Sequence, residues 1–500
     1  VRGLSALPFL FVLSLLAAAS AQTPEAAAPA FERAQRVVST KVPAAAVAFD
    51  EGLTLLYAFN PEEARLAFAR AAATDPGFAL AWWGVAMSHG PNINTSYDPA
   101  GQRAGHEAIL RAQALEGHAT PVERALIEAA AKRFAFERAG DGDRSARAYR
   151  DAMGAAADAF PLDDDVQTLA AEAEMDVHPW SYFNAEGTPT SGTPALIARL
   201  QTVLARDPGH IGANHFLIHA FEESPHPEEA LPAARRLAAM HFEPAAEHLI
   251  HMPAHAFMRV GEYHDAGVAN ARAIDAYRTY QAGSPAGHAD YYGHDCIFGV
   301  DAFMMSGEYA PARTLAALCR QSASGQIAIV DWRFRHWDAL LADGTGNEFL
   351  AGMLAAHAGH MPSAQLHLKV IEKGSDTTAT IEGALLEAAI ARAQGNAAAE
   401  IAALRRAETA QDTYGYSEPP SFFMPVRESL GGALLRAGRD AEAEATFRAD
   451  LERNRENPRS LFGLAEALER EDEPDDARAV RARFDRAWAH ADTELELKDL

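Results

Sequence analysis

Small and aromatic residues recur along the chain at three- and four-residue steps, the spacing that lines one face of a helix rather than alternate faces of a strand. Between Gly52 and Pro76 the steps fall on Ala64, Phe68 and Ala71. Numbered from Ala45, a unit of about 34 residues places Gly52 at position 8, Ala64 at 20, Phe68 at 24, Ala71 at 27 and Pro76 at 32. The unit from Ala79 carries Trp82 at position 4 and Ala86 at 8. A unit from Glu247 has Ala254 at 8, Gly261 at 15, Tyr263 at 17, Ala266 at 20 and Ala273 at 27. Units from Gly293 (Gly307, Tyr309, Ala312) and Thr345 (Gly352, Gly359, Ala364) continue the pattern. So do Gly431, Gly438, Ala443 and Phe447, and finally Ala465, Leu468 and Ala477.

Two antiparallel helices in about 34 residues, with small side chains where the helices touch, are the tetratricopeptide (TPR) repeat. The sequence therefore predicts an all-α fold, a TPR-like α-solenoid of antiparallel helical hairpins. Each hairpin covers its neighbour's apolar face, and the array winds into a superhelix with a concave groove. The expected divisions are N-terminal repeats over 45–280, C-terminal repeats over 281–490 and a tail over 491–500. Interruptions rich in Gly, Pro, Ser and Tyr at 90–99, 179–193, 281–293, 322–346 and 411–421 read as loops. Loops of that length carry function more often than they fill space.

Composition alters the picture at the N-terminus. Val1-Arg2, an apolar stretch from Leu4 to Ala18 and Ala19-Ser20-Ala21 before Gln22 have the parts of a secretory signal peptide over 1–21, with cleavage expected after Ala21. The apolar run is shorter than the ~20 residues of a membrane span, and no second run follows. The expectation is a periplasmic or secreted protein with no membrane span after cleavage, and an Ala/Pro-rich linker over 22–44. A net charge of -25 over 500 residues repels a phosphate backbone, so nucleic acid is not an expected partner. A protein, a peptide or a small molecule in the groove is. Lys and Arg are sparse at positions 2, 5 and 9 of the first helices, so no basic groove of the kind that holds peptide carboxylates is expected. Oligomeric state leaves no mark in the sequence.

Histidine supplies the candidate chemistry. A unit from Ile211, fixed by Ala230 at position 20, puts His215 at 5 and His219 at 9, and the Glu247 unit does the same with His251 and His255. Residues four apart share a helical face. Positions 5 and 9 of a first helix face the groove, so four imidazoles are expected in one space, flanked by His248 at position 2. The Gly293 unit adds His294 at 2 and Asp301 at 9. Paired imidazoles from adjacent helices suit a transition metal ion, namely copper, zinc or iron. Glu222, Asp295 or Asp301 would complete the shell or orient the rings. The same spacing is open to a hydrogen-bonded histidine network and to direct ligand recognition by neutral rings. Phe216 follows His215 and Met252 follows His251, which excludes the HExxH zinc-protease motif. Pro253 threatens the geometry, because proline interrupts a helix. Met240, Met252, Met258, Met304 and Met305 share this stretch and read as core filler.

At the groove mouth, Trp83 at position 5, Asn92, Asn94, His178 and Trp180 are candidate ligand contacts, whereas Trp82 reads as core. If the site is catalytic, Glu222, Tyr291 or Asp301 would move protons. Cys296 and Cys319 lie about equally far from the turn at Gly307, where antiparallel helices bring residues face to face, so a disulfide is possible in an oxidising compartment.

Seven stretches carry a resemblance: Tyr57-Ala58-Phe59-Asn60, Ala81-Trp82-Trp83-Gly84, Gly90-Pro91-Asn92-Ile93-Asn94, His178-Pro179-Trp180, His251-Met252-Pro253-Ala254-His255, Glu418-Pro419-Pro420 and Ser460-Leu461-Phe462-Gly463-Leu464. Together they resemble a family of exported bacterial TPR proteins of unknown activity and span nearly the whole mature chain. That pattern ordinarily has a His after Phe59-Asn60, where this chain has Pro61, so any role of that His is missing. The resemblance implies the fold and supplies no reaction. The expected function is a TPR-repeat binding protein with a His-rich, metal-binding groove. The alternatives are a periplasmic metalloenzyme, either oxidoreductase or hydrolase, and a metal-free interaction scaffold.

Overall fold

The computed structural model describes residues 31–135, 138, 140–283 and 291–500; the expected signal peptide lies outside them. Helices pair along the chain in the predicted way. In the N-terminal half Pro43–Tyr57 pairs with Pro61–Thr74, Ala79–Met87 with Pro99–Ala114, Pro121–Arg133 with Gly142–Ala159, and Asp164–Met175 with Thr193–Arg206. Ile211–Phe221 then pairs with Leu231–Ala239, and Glu247–His251 with Pro253–Val260 packs on Tyr263–Gly283. The second half continues through Tyr292–Ser306 and Tyr309–Leu318 to the last pair, Pro458–Arg470 and Pro474–Ala487. The fold is an all-α, TPR-like solenoid. Among the described residues, extended backbone pairs only in two isolated bridges, Asn92 with Thr95 and Phe183 with Pro189. None of the described helices is long and apolar enough to cross a membrane.

The small residues of the register are where helices touch. Phe68, fully buried, lies between Gly52 of its own hairpin and Gly84 of the next, where an added Cβ would stand 2.7 and 2.3 Å from the ring. The same clasp recurs near the C-terminus, with Phe447 between Gly431 and Gly463 at 2.4 and 2.1 Å. Gly463→Ala is accordingly expected to destabilise the protein. Overpacking of about 3 kcal/mol exceeds the gain of about 1 kcal/mol from alanine's helix propensity, which leaves a net loss of about 2 kcal/mol. Urea unfolding checks this, and an unchanged midpoint would refute the clasp.

Three sequence expectations change. The stretch 322–346 is not a loop but contains a further short hairpin, Gln326–Arg333 and Trp337–Asp343. Buried Ile327, Val330, Trp332 and Leu340 give it an apolar face that its Gly- and Ser-rich flanks concealed. The described part of the expected linker is fastened to the array. Arg36 forms ion pairs with Asp163 and Asp165 at 2.9 and 2.7 Å, and Ser39 N–H donates to Glu123. Pro253 does divide its helix, but Met252 at the junction keeps helical angles (φ -50, ψ -36) and its N–H still donates to the His248 carbonyl. The direction of the helix survives the break, and with it the placement of His248 and His251.

The C-terminal half also holds a basic groove that the sequence analysis did not find. Arg333, Arg335, Arg392, Arg436 and Arg459 line a cavity of about 650 Å³. Four of them stand at or just beyond the C-terminal ends of helices ending at Arg333, Ala393 and Arg436, where the helix dipole favours cations. For these four, the register positions searched for basic residues lie earlier in the first helix; Arg459 falls at position 2 of the last unit, where Ala465 stands at 8.

Candidate metal centre

Ile211–Phe221 and the broken helix 247–260 lie side by side, and their histidines meet with His294 from the start of Tyr292–Ser306. Six rings form a continuous group. Centroid separations are 4.7 Å for His215 and His219, 5.0 Å for His215 and His248, 5.8 Å for His248 and His251, 4.7 Å for His251 and His255, and 4.9 Å for His251 and His294. The nitrogens resolve into two triads, His215–His219–His248 and His251–His255–His294, each with one ligand atom per residue within 4.8 Å of the others. All six rings are shielded, with His294 the least so.

Hydrogen bonds fix which nitrogen of several rings is bare. His215 Nδ1 lies 2.6 Å from the Tyr57 carbonyl, an obligate acceptor, so it carries the proton and Nε2 presents a lone pair that no protein group meets. Asn270 Nδ2 donates to the Ala266 carbonyl, which leaves Asn270 Oδ1 as the acceptor for His251 Nδ1 at 2.7 Å. His255 Nδ1 lies 2.5 Å from Glu418 Oε2. Neutral His251 therefore bears its lone pair on Nε2, as does His255 when its Nδ1 donates to the Glu418 carboxylate, and the two Nε2 atoms face each other at 2.8 Å, with His294 Nε2 3.2 Å from that of His251. A proton on one of the two Nε2 atoms, or a cation between them, reconciles that arrangement. Around a tetrahedral ion with bonds of about 2.05 Å, neighbouring nitrogens stand about 3.3 Å apart.

Electrostatics agree. Burial, then the neighbouring rings, holds His215, His248 and His251 well below the ordinary imidazole range, and His219 likewise; His294 is lowered to about 3. Those rings are neutral at pH 7, the form that binds metals. His255 is the exception: burial pulls it down, but the Glu222 and Glu418 carboxylates outweigh burial and raise it. Glu222 sits between the triads, 2.8 Å from His219 Nδ1 and 3.5 Å from His255 Nδ1. Burial pushes its carboxyl up to about 7 against the pull of His255 and Arg259.

The walls are apolar and aromatic. Phe59, held in the left-handed region at φ 54, packs its ring on His215, His219 and His248. Tyr291 stacks on His248 at 4.4 Å and accepts a hydrogen bond from Asn94 Nδ2. Two loops meet over the first triad, where Trp180 places its ring edge-on to His219 and donates from Nε1 to the Ile93 carbonyl.

Of the predicted residues, His215, His219, His248, His251, His255, His294, Glu222, Asn94, Trp180 and Tyr291 come together here. Asn92 shapes the loop, its Oδ1 accepting from the Asn94 N–H. Asp301 does not join either triad. It is buried two turns along from His294, its carboxyl driven far up by burial against the pull of Arg333. Asp295, one residue after His294, instead reaches His251 Nδ1 at 3.2 Å. His178 is exposed and belongs to neither triad. Trp83 is core, edge-on to Phe68, because the preceding hairpin covers position 5 there; Trp82 is the half-exposed one, under Arg111. Cys296 and Cys319 form a buried disulfide with Cα atoms 5.8 Å apart. Met252, Met304 and Met305 are buried in the core.

Sequence reasoning missed Asn270 and Glu418 as ring partners. Asn270 stands at position 24, where the first unit has Phe68, and a polar residue at an apolar register position was the available signal. Glu418 arrives from a loop more than 150 residues downstream, whose only signal was its Glu-Pro-Pro stretch.

No protein-family profile matches this chain, nor does any curated protein. Solved structures do. The TPR domain of P58(IPK) is 13% identical, covering 74% of this chain and 98% of that one, with a TM-score of 0.20. Yeast Tom70 is 9% identical, covering 91% and 93%, with a TM-score of 0.27. The APC/C hetero-tetramer Cut9–Hcn1 is 12% identical, covering 92% and 96%, with a TM-score of 0.29. Identities and TM-scores this low say nothing of the site or its chemistry.

Proposed function

We propose that this is an exported helical-repeat protein whose concave face holds a two-position transition-metal centre, one ion on His215, His219 and His248 and one on His251, His255 and His294, with Glu222 between them. The observation that carries this reading is the convergence of bare imidazole nitrogens in a buried space, above all the facing Nε2 atoms of His251 and His255. The outer contacts fit the same purpose: a backbone carbonyl on His215, an amide on His251 and a carboxylate on His255 are the partners that fix ligating rings. Zinc, iron and copper all suit imidazole with carboxylate. Export is supported by the leader pattern over 1–21 and by the Cys296–Cys319 disulfide, a bond of oxidising compartments.

Metal analysis of the purified full chain tests the proposal. The expected content is two ions per chain, falling to about one in His219→Ala and to about one in His255→Ala. A folded wild-type protein that takes up no metal at equilibrium with zinc, copper or iron(II) would sink it. One observation favours a catalytic variant of the reading: three imidazoles per position is the count that accompanies an open fourth place in catalytic sites. Cobalt(II) substitution distinguishes the two, since an added small anion shifts the visible spectrum only if a place is open.

A further inference from the structure

The arginine groove of the C-terminal half is already partly filled, by the chain itself. After Pro474–Ala487 the backbone passes residues 307–310 and reaches the arginines of the cavity. Asp492 accepts from the Tyr309 and Ala310 N–H groups at 2.6 and 2.8 Å, and Thr493 Oγ1 donates to the Gly307 carbonyl. Beyond this, Leu495, Leu497 and Leu500 pack on the core while Glu494, Glu496 and Lys498 face solvent. Arginines grip the main chain: Arg436 donates to the Leu497 and Leu500 carbonyls, Arg392 to those of Lys498 and Leu500, and Arg459 to that of Asp499. The Asp499 carboxylate pairs with Arg335 at 3.2 Å. Leu500 is 2% exposed and seated on Gly432, where a Cβ would stand 2.5 Å from it.

Two features show a receptor rather than a mere strap. The cavity beside the segment persists at about 650 Å³, walled by Trp332, Trp337, Met353 and His357 as well as by the arginines. The positive charge is also only partly neutralised. Arg333 is paired to Glu428 behind the groove, Arg436 to Glu400 and Arg335 to the segment's own Asp499, while Arg392 and Arg459 hold main-chain oxygens and have no ion pair among the described residues. In a chain of net charge -25 this is a local inversion of sign, and it selects an anionic ligand.

We infer that this groove is a binding site for an acidic peptide that carries leucines at the spacing of Leu495, Leu497 and Leu500 and closes in a single 3-10 turn, and that residues 492–500 are its occupant in cis, displaceable by a partner segment of the same chemistry. Recognition rests on main-chain oxygens, one inward carboxylate and the leucine seat. A tethered occupant competes at an effective concentration of roughly millimolar, which a partner with an additional acidic side chain for the spare arginines would overcome.

The test titrates a fluorescent peptide of sequence DTELELKDL, amidated at its end, into the full-length protein and into full-length variants. Asp499→Lys with Leu500→Asp ejects the tail in cis. Binding of the peptide is expected to tighten at least about 10-fold relative to wild type, and to be lost again when Arg392→Ala and Arg436→Ala are added. Leu500→Ala, which changes one side chain at the edge of the core, guards against misfolding of the double variant and should give a smaller tightening. Failure of both folded tail variants to bind the peptide up to about 1 mM would overturn the inference and leave the segment a structural strap. Tight binding that survives loss of both arginines would overturn it equally.

Discussion

His251→Ala is expected to cost the protein one of the two proposed ions and to weaken the affinity of that position by more than about 100-fold. The ring is central to its triad. Its Nε2 stands 2.8 Å from that of His255 and 3.2 Å from that of His294, while its Nδ1 is committed to Asn270. Loss of an outer partner alone lowers metal affinity about 10- to 100-fold, so loss of the ligand sets the larger effect and Asn270→Ala the smaller one in the same direction. The first position should be retained, because His215 is fixed by the Tyr57 carbonyl and not by His251. Chelator competition followed by metal analysis reads both numbers. Retention of both ions by His251→Ala at wild-type affinity would show that the facing nitrogens share only a proton. Loss of both ions from a folded variant would show a single coupled centre rather than two positions.

The histidines were legible in the sequence for a reason that is physical rather than statistical. A 34-residue register gives each first helix a rotation as well as a location, so His215 and His219 could be aimed at the same space as His251 and His255. The hazard at Pro253 was legible too, but not its outcome. That depended on Met252 keeping helical angles, with its N–H bonded to His248. What a register cannot convey is curvature. Superhelical winding brings Glu418 onto His255 and Tyr416 onto Arg259 from the far half of the chain. Likewise Arg333, Arg392 and Arg436 sit at the ends of different helices, where no repeat position marks them, and only the bend of the array turns those ends into one groove. Trp82 and Trp83 differ by one residue, about 100° of helix. A nine-residue helix covered by Phe68 from the preceding hairpin was enough to exchange their roles.

The second large effect lies in the support of that curvature. Arg333→Met should destabilise the protein by about 3–5 kcal/mol, the cost of breaking a buried ion pair by removing one partner. Arg333 and Glu428 are 6% and 1% exposed and form a two-pronged contact at 2.6 and 2.9 Å. Glu428 also accepts from Asn457 Nδ2, and Asn457 donates in turn to Asp450, which Ser460 holds from the other side. The network thus ties Gln326–Arg333 to three helices of the last two hairpins, Val426–Arg436, Asp440–Arg453 and Pro458–Arg470. Methionine preserves much of the arginine stem and volume, so the loss comes chiefly from a carboxylate left buried without its cation. That origin makes a second outcome decisive. Adding Glu428→Gln should recover most of the stability, since a neutral amide keeps a bond to Asn457 and carries no unpaired charge. If the double variant is as unstable as Arg333→Met, or the single variant loses less than about 1 kcal/mol in urea unfolding, the pair does not hold the C-terminal hairpins together. The junction would then rest on the packing around Trp332 and Phe349, whose rings meet edge to face at 5.3 Å.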